Sequence, residues 1–293
     1  MKFCGFKVNF IGLLTAQVWA ILFFTAVIFF ILQMEIQKEK IHSGLIAHRG
    51  ESYDAPENTL SAVQLAWERG IEAVEVDVHL TGDNQVCVIH DMDTLRTTGR
   101  KLVVRNSTME ELQRLDAGSW KGEKWAGEKI PSLKEVLASV PSHGKLVIEI
   151  KCGSEILDTL KQTTENSLLR NDQIEIITFN LKTLAEARQM MPQYKMFWLF
   201  ESRPMWLQYL LGTNPQTVIR KLGKHNIDGV NVGNSRHFKK KFIESFTSAG
   251  LPVYTWTVND PERALELLKY GVSGITTDRA AWMAETLKNH MDC

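Results

Sequence analysis

From residue 41 to the C-terminus, short apolar runs rich in β-branched residues alternate with helix-patterned segments, and no Pro/Gly/Ser-rich linker interrupts them. Strand-like runs fall at 45–48, 73–79, 85–90, 145–151, 173–179, 195–200, 229–232, 252–258 and 273–277. Helical patterns fall at 59–69, 154–169, 181–190, 217–225, 239–249, 261–269 and 279–290, and Asn58 and Asp260-Pro261 read as helix starts. Strands that alternate with helices form parallel βαβ units, because a parallel partner is reached only through a long crossover. If 73–79 and 85–90 make one hairpin, eight strand positions remain, which fits a TIM (β/α)8 barrel of about 250 residues. A doubly wound open sheet is the alternative. Residues 91–144 break the alternation and predict a subdomain inserted after the second strand, over the barrel mouth.

The first 40 residues are of another kind. Between Val8 and Met34 there is no charged residue. A helix needs about 20 apolar residues to cross a bilayer core, whereas a cleaved signal has an apolar region of only about 7–15. The run therefore predicts a single-pass N-terminal transmembrane anchor over 1–40, with the barrel at 41–293. Lys2 and Lys7 before the span are balanced by Lys38 and Lys40 after it, so the side of the membrane is left open. The whole chain carries 34 basic and 34 acidic residues. Without its first 34 residues, which hold two lysines and no acid, the balance is 32 − 34 = −2. Neither figure gives the basic excess of a nucleic-acid binder. Four scattered cysteines show no disulfide or metal-knuckle spacing, and Cys87 and Cys152 read as small buried hydrophobes.

Four clusters lie at strand ends, where a barrel carries its site: His48-Arg49-Gly50, Glu75-Val76-Asp77, His90-Asp91 and Glu149-Ile150-Lys151. Strand side chains alternate, so Glu75 and Asp77 share one face, as do Glu149 and Lys151. Carboxylates crowded on one face repel and call for a cation; removing Glu75 or Asp77 should relieve strain in the metal-free barrel. An all-oxygen donor set suits Mg2+ or Ca2+. A two-residue turn within Thr81-Gly82-Asp83-Asn84 would place His90 opposite Glu75 or Asp77; a three-residue turn would not. Arg49 and Lys151 suit a phosphate-bearing substrate, and His48 and His90 suit acid–base work. His79 shares the face of Asp77 but reads more simply as a structural histidine.

These clusters, with Pro56-Glu57-Asn58-Thr59, Ile130-Pro131-Ser132-Leu133 and Trp256-Thr257-Val258-Asn259, resemble the glycerophosphodiester phosphodiesterase family in its motif order, from about residue 44 to 290. The resemblance implies a TIM barrel that hydrolyses glycerophosphodiesters to glycerol 3-phosphate and an alcohol. It implies Glu75, Asp77 and Glu149 as ligands of a divalent metal and His48 and His90 as the acid–base pair. It further implies Arg49 and Lys151 on phosphate, Trp256 in the glycerol pocket, and Glu57 beside the substrate or ordering the loop after the first strand. Family members divide between soluble diesters and lysophospholipids, the latter giving lysophosphatidic acid. The apolar segment 203–212, expected as a barrel-mouth loop, leans toward lipid access at the membrane. Two other readings are a sphingolipid-cleaving phospholipase D relative and a catalytically silent, membrane-tethered binding protein.

Overall fold

The computed structural model describes residues 44–291 and two helical positions, Thr25 and Phe29, in the N-terminal segment. Apart from those two positions, the expected transmembrane anchor lies outside the described residues. Among those described, no helix is long and apolar enough to cross a membrane. The strands are β1 Leu45–His48, β2 Ala73–Leu80, β3 Val86–Val88, β4 Lys145–Ile150, β5 Ile174–Thr178, β6 Lys195–Glu201, β7 Gly229–Gly233, β8 Val253–Trp256 and β9 Gly274–Thr277. All but β3 run parallel, and β1 pairs with both β2 and β9, so eight strands close into a TIM-type barrel.

Two periodicities build the wall. Ile46, Ala73, Val147, Ile177, Phe197 and Leu199 fill the interior with Tyr254 and Trp256 packed on them. Val74, Val76 and Val78 are buried on the other face of β2, as alternation requires. The floor is close-packed: the Phe197 and Tyr254 rings stack 4.2 Å apart. A Cβ on Gly274 would fall 2.6 Å from the Tyr254 ring, which explains glycine there. Outer helices start where their capping residues stand. Thr59 caps Leu60–Glu68 through Ala62 N, and Asp260 caps Pro261–Lys269 through Arg263 N.

Three local expectations change. The β2–β3 hairpin pairs His79 with Cys87 and Thr81 with Gln85, which leaves a three-residue turn, Gly82-Asp83-Asn84, with Asn84 left-handed at φ 56°. The register is thus one residue off that of a two-residue turn, and Ile89, not His90, bonds Asp77. Residues 205–211 of the expected loop form a helix, Met205–Leu211. The segment after β3 also contains the helix Leu133–Ser139, started by a reciprocal Ser132–Glu135 capping box. That helix packs on β3 and on the outer helices Leu60–Glu68 and Leu157–Glu165. The rest of the segment surrounds a small core of its own, with Val104, Met109, Leu112 and Ile130 packed on Cys87 and Ile89.

Candidate active site

At the carboxyl end of the barrel, Glu75, Asp77 and Glu149 each offer an oxygen within 4.8 Å of the others. The register causes this. β2 and β4 pair Asp77 with Glu149, and β1 and β2 pair His48 with Glu75. Glu75 and Asp77 are 2% and 1% exposed. Glu75 Oε2 accepts the backbone N–H of Arg49 at 3.0 Å, but Glu75 Oε1 and Asp77 Oδ1 are buried without a hydrogen-bond donor. Burial, with Asp77 and Glu149 beside it, pushes the Glu75 carboxyl well above its usual range. Burial and Asp77 push Glu149 up as well, against the opposing pull of Lys151. Two carboxylate oxygens without a hydrogen bond in a cluster of three buried acids fit a hard divalent cation.

Asn58 is not the helix cap, a job Thr59 does. Left-handed at φ 58°, it clamps Asp77 instead: Nδ2 donates to Asp77 Oδ2 at 2.8 Å and Oδ1 accepts Asp77 N at 3.1 Å. Arg49, also left-handed, sends Nε to 3.1 Å from Asp77 Oδ2. The next residue must be glycine, because a Cβ on Gly50 would lie 2.4 Å from the backbone of Ala62. Lys151 Nζ lies 2.7 Å from Glu149 Oε1 and 3.6 Å from Asp77 Oδ1, so the lysine is held by two of the acids.

Each candidate acid–base histidine has an aspartate on Nδ1. His48 Nδ1 is 2.6 Å from Asp278 Oδ1, and His90 Nδ1 is 2.6 Å from Asp91 Oδ1. A carboxylate there fixes the tautomer and leaves Nε2 to exchange protons. Asp278 is itself held by Asn259 of the Trp256-Thr257-Val258-Asn259 motif, whose Nδ2 donates at 2.6 Å. Burial opposes ionisation of Asp278, but the bond from His48 wins and its pKa is lowered. For His90 burial is the larger effect and lowers its pKa, against the opposing pull of Asp77 and Asp91. His90 reaches the site although it has left the β3 ladder, and His79 Nε2 meets the His90 carbonyl at 3.1 Å. His79 is thus a support for His90, as the plainer reading expects.

A cavity of about 150 Å3 joins these groups. His48, Arg49, Glu75, His90, Glu149 and Lys151 line its polar side, and Ile177, Phe179, Leu199, Asn231, Trp256 and Thr276 the other. Trp256 stands edge-on to Phe179, 5.6 Å between centroids. Trp256 Nε1 and Asn231 Oδ1 are buried without partners. Glu57 is not among the lining residues. Its carboxylate accepts Arg49 Nη1 at 2.7 Å and both Arg96 terminal nitrogens at 2.8 and 2.9 Å, and these arginines overcome burial to bring it to about 2.

Sequence reading missed Asp278, Asn231 and Arg96. Arg96 joins both halves of the site. Besides Glu57, it bonds Asp91 through Nε at 2.7 Å, so one guanidinium orients the partner of Arg49 and the partner of His90. Arg96 is therefore expected to act as a positioning residue. Arg96→Lys keeps the charge but loses the fork, and kcat should fall about 10–100-fold, as for other supporting partners, with KM raised through Arg49. Arg96→Ala should fall further. Unchanged kcat and KM in a folded Arg96→Ala enzyme would assign the network to stability alone.

The sequence model of the glycerophosphoryl diester phosphodiesterase family matches residues 48–281. The Bacillus subtilis protein YhdW is 35% identical over 241 residues, 80% of this chain and 93% of YhdW. A glycerophosphodiester phosphodiesterase of Caldanaerobacter subterraneus is 32% identical over 240 residues, again 80% of this chain and 93% of its own. Among solved structures, a phosphodiesterase of Oleispira antarctica in complex with the product sn-glycerol-3-phosphate superposes with a TM-score of 0.75 at 27% identity. That match covers 87% of this chain and 99% of the Oleispira chain. The extent of the family match and the identity to its members establish that this chain belongs to the glycerophosphoryl diester phosphodiesterase family.

Proposed function

We propose that the chain is a metal-dependent glycerophosphodiester phosphodiesterase that cleaves the bond between phosphorus and the alcohol oxygen, releasing glycerol 3-phosphate. The observation that carries this reading is the three-acid cluster, two of whose oxygens lack a hydrogen-bond donor, sharing one cavity with two Asp-oriented histidines. Glu75, Asp77 and Glu149 would hold Mg2+ or Ca2+, which when bound would polarise the phosphoryl oxygens and offset developing charge. Arg49 and Lys151 bind the phosphate anion and align it. The glycerol carbons pack on Ile177, Phe179 and Leu199, with hydroxyls available to Asn231 Oδ1 and Trp256 Nε1. Of His48 and His90, one takes a proton from the attacking water and the other returns one to the departing alkoxide.

A small cavity selects the glycerol phosphate head and leaves the alcohol outside. The same site would accept lysophospholipids, with the acyl chain on their glycerol also outside the cavity and lysophosphatidic acid as product. The uncharged run Val8–Met34 supports a single-pass membrane anchor that would keep the enzyme near such substrates. The test is a panel of glycerophosphocholine, glycerophosphoethanolamine and long-chain lysophosphatidylcholine, each with and without EDTA. Chelator-sensitive release of glycerol 3-phosphate supports the reading. Choline release from the lysolipid extends it to lysophospholipids, and no turnover of any member with metal restored contradicts it.

A further inference from the structure

Away from the catalytic cavity, the helix Met205–Leu211 turns the usual burial pattern inside out. Met205, Trp206, Tyr209, Leu210 and Leu211 are exposed, Trp206 at 69% and Leu210 at 75%. The single polar side chain, Gln208, is 2% exposed and donates from Nε2 to the Arg203 carbonyl at 2.7 Å. A helix facing water places its apolar stripe inward. This one presents it outward, and contiguous exposed apolar surface marks a contact site.

A second feature lies beside it. Ser202 Oγ donates to the Gly233 carbonyl at 2.7 Å, and Ser235 Oγ donates to the Ser202 carbonyl at 3.1 Å. These bonds tie the segment leading into the helix to the loop after β7. That loop continues as Arg236-His237-Phe238-Lys239 into the helix Lys240–Thr247, and Arg236, Lys239, Lys240 and Lys241 are exposed. Among the described residues, only Lys240 of these four pairs with an acid, Glu244 at 3.7 Å. The basic run is local, because the chain beyond its first 34 residues is slightly acidic. Both segments leave the carboxyl ends of their strands, the end that carries the catalytic cavity.

We propose that Met205–Leu211 and the basic run Arg236–Lys241 together form a docking surface for a bilayer that contains anionic lipid. Trp and Tyr favour the membrane interface, Met and Leu bury in its acyl boundary, and flanking Lys and Arg are drawn to anionic headgroups. A two-fold dimer would have to answer the basic run from the same patch, and neither 205–211 nor 236–241 holds an acid, so charge favours anionic lipid over self-association. The proposal does not rest on the diesterase reading and is tested without turnover.

The test uses the full chain in vesicles of phosphatidylcholine brominated on its acyl chains, with and without phosphatidylserine. Eight tryptophans emit, so the contribution of Trp206 is the difference between wild type and Trp206→Phe. With phosphatidylserine, bromolipid should quench wild type more than Trp206→Phe. That excess should shrink in high salt and in the combined Lys239→Gln, Lys240→Gln, Lys241→Gln variant. Equal quenching of wild type and Trp206→Phe overturns the proposal, as does an excess that is the same without phosphatidylserine. Conversion of a dimer to a monomer by Leu210→Ser would also overturn it, in favour of a second copy as the occupant.

Discussion

Replacing Glu75 with Gln is expected to abolish turnover while leaving the metal-free barrel as stable as wild type or more so. The loss of activity should reach about 10³-fold or beyond, because a bound cation contributes several kcal/mol of charge stabilisation and about 1.4 kcal/mol corresponds to tenfold in rate. The gain in stability follows from what surrounds Glu75: one hydrogen bond, from the backbone N–H of Arg49, and burial beside Asp77 and Glu149, whose combined penalty on its charge outweighs the attraction of Arg49. Asp77→Ala should lose as much activity but destabilise the fold, by about 1–3 kcal/mol for the buried Asn58 donor left unpaired. Asn58 Nδ2 relies on Asp77 Oδ2 for its hydrogen bond, and the Arg49 guanidinium relies on the Asp77 charge. Sequence alone treats the two carboxylates alike; the structure separates them. Thermal unfolding of both metal-free variants checks this, and a Glu75→Gln protein less stable than Asp77→Ala would contradict it.

The histidines carry the second large effect. His48→Ala and His90→Ala should each lower kcat by about 10²–10⁴-fold, and the double variant should lose far less than the product of the two losses, since one proton relay serves one reaction. Asp278→Asn should resemble a milder His48→Ala, because Asp278 meets His48 Nδ1 at 2.6 Å. A double variant whose loss equals the product would show independent roles.

The barrel was legible in the sequence because hydrophobic period and capping residues agree along most of it. The helices at 181–190 and 261–269 match Leu181–Met190 and Pro261–Lys269 in the structure, and Asn180 and Asp260 cap them through their side chains. Side-chain alternation also placed Glu75 with Asp77 and Glu149 with Lys151 on shared faces. It failed where one residue decides. Left-handed Asn84 lengthens the β2–β3 turn, which shifts the register and leaves His90 to reach the site from beyond its strand. Asn58 has the residue type of a helix cap, yet Thr59 beside it does that work. The Ser132–Glu135 capping box was the available signal for the helix at Leu133–Ser139. Asp278 is 230 residues from the histidine it holds, and only its place just after β9 hinted at a role. Arg96 sits in a segment without periodicity, so nothing local announced that it bridges Glu57 and Asp91.

The most direct test of the account is one titration of the chelator-stripped full chain with Mg2+ or Ca2+, reading metal bound per chain and glycerol 3-phosphate released from glycerophosphocholine in the same samples. The account predicts one activating cation per chain, the two curves rising together, and both lost in Glu75→Gln. Full turnover with chelator present, or cation binding that persists in Glu75→Gln at wild-type affinity, would contradict it.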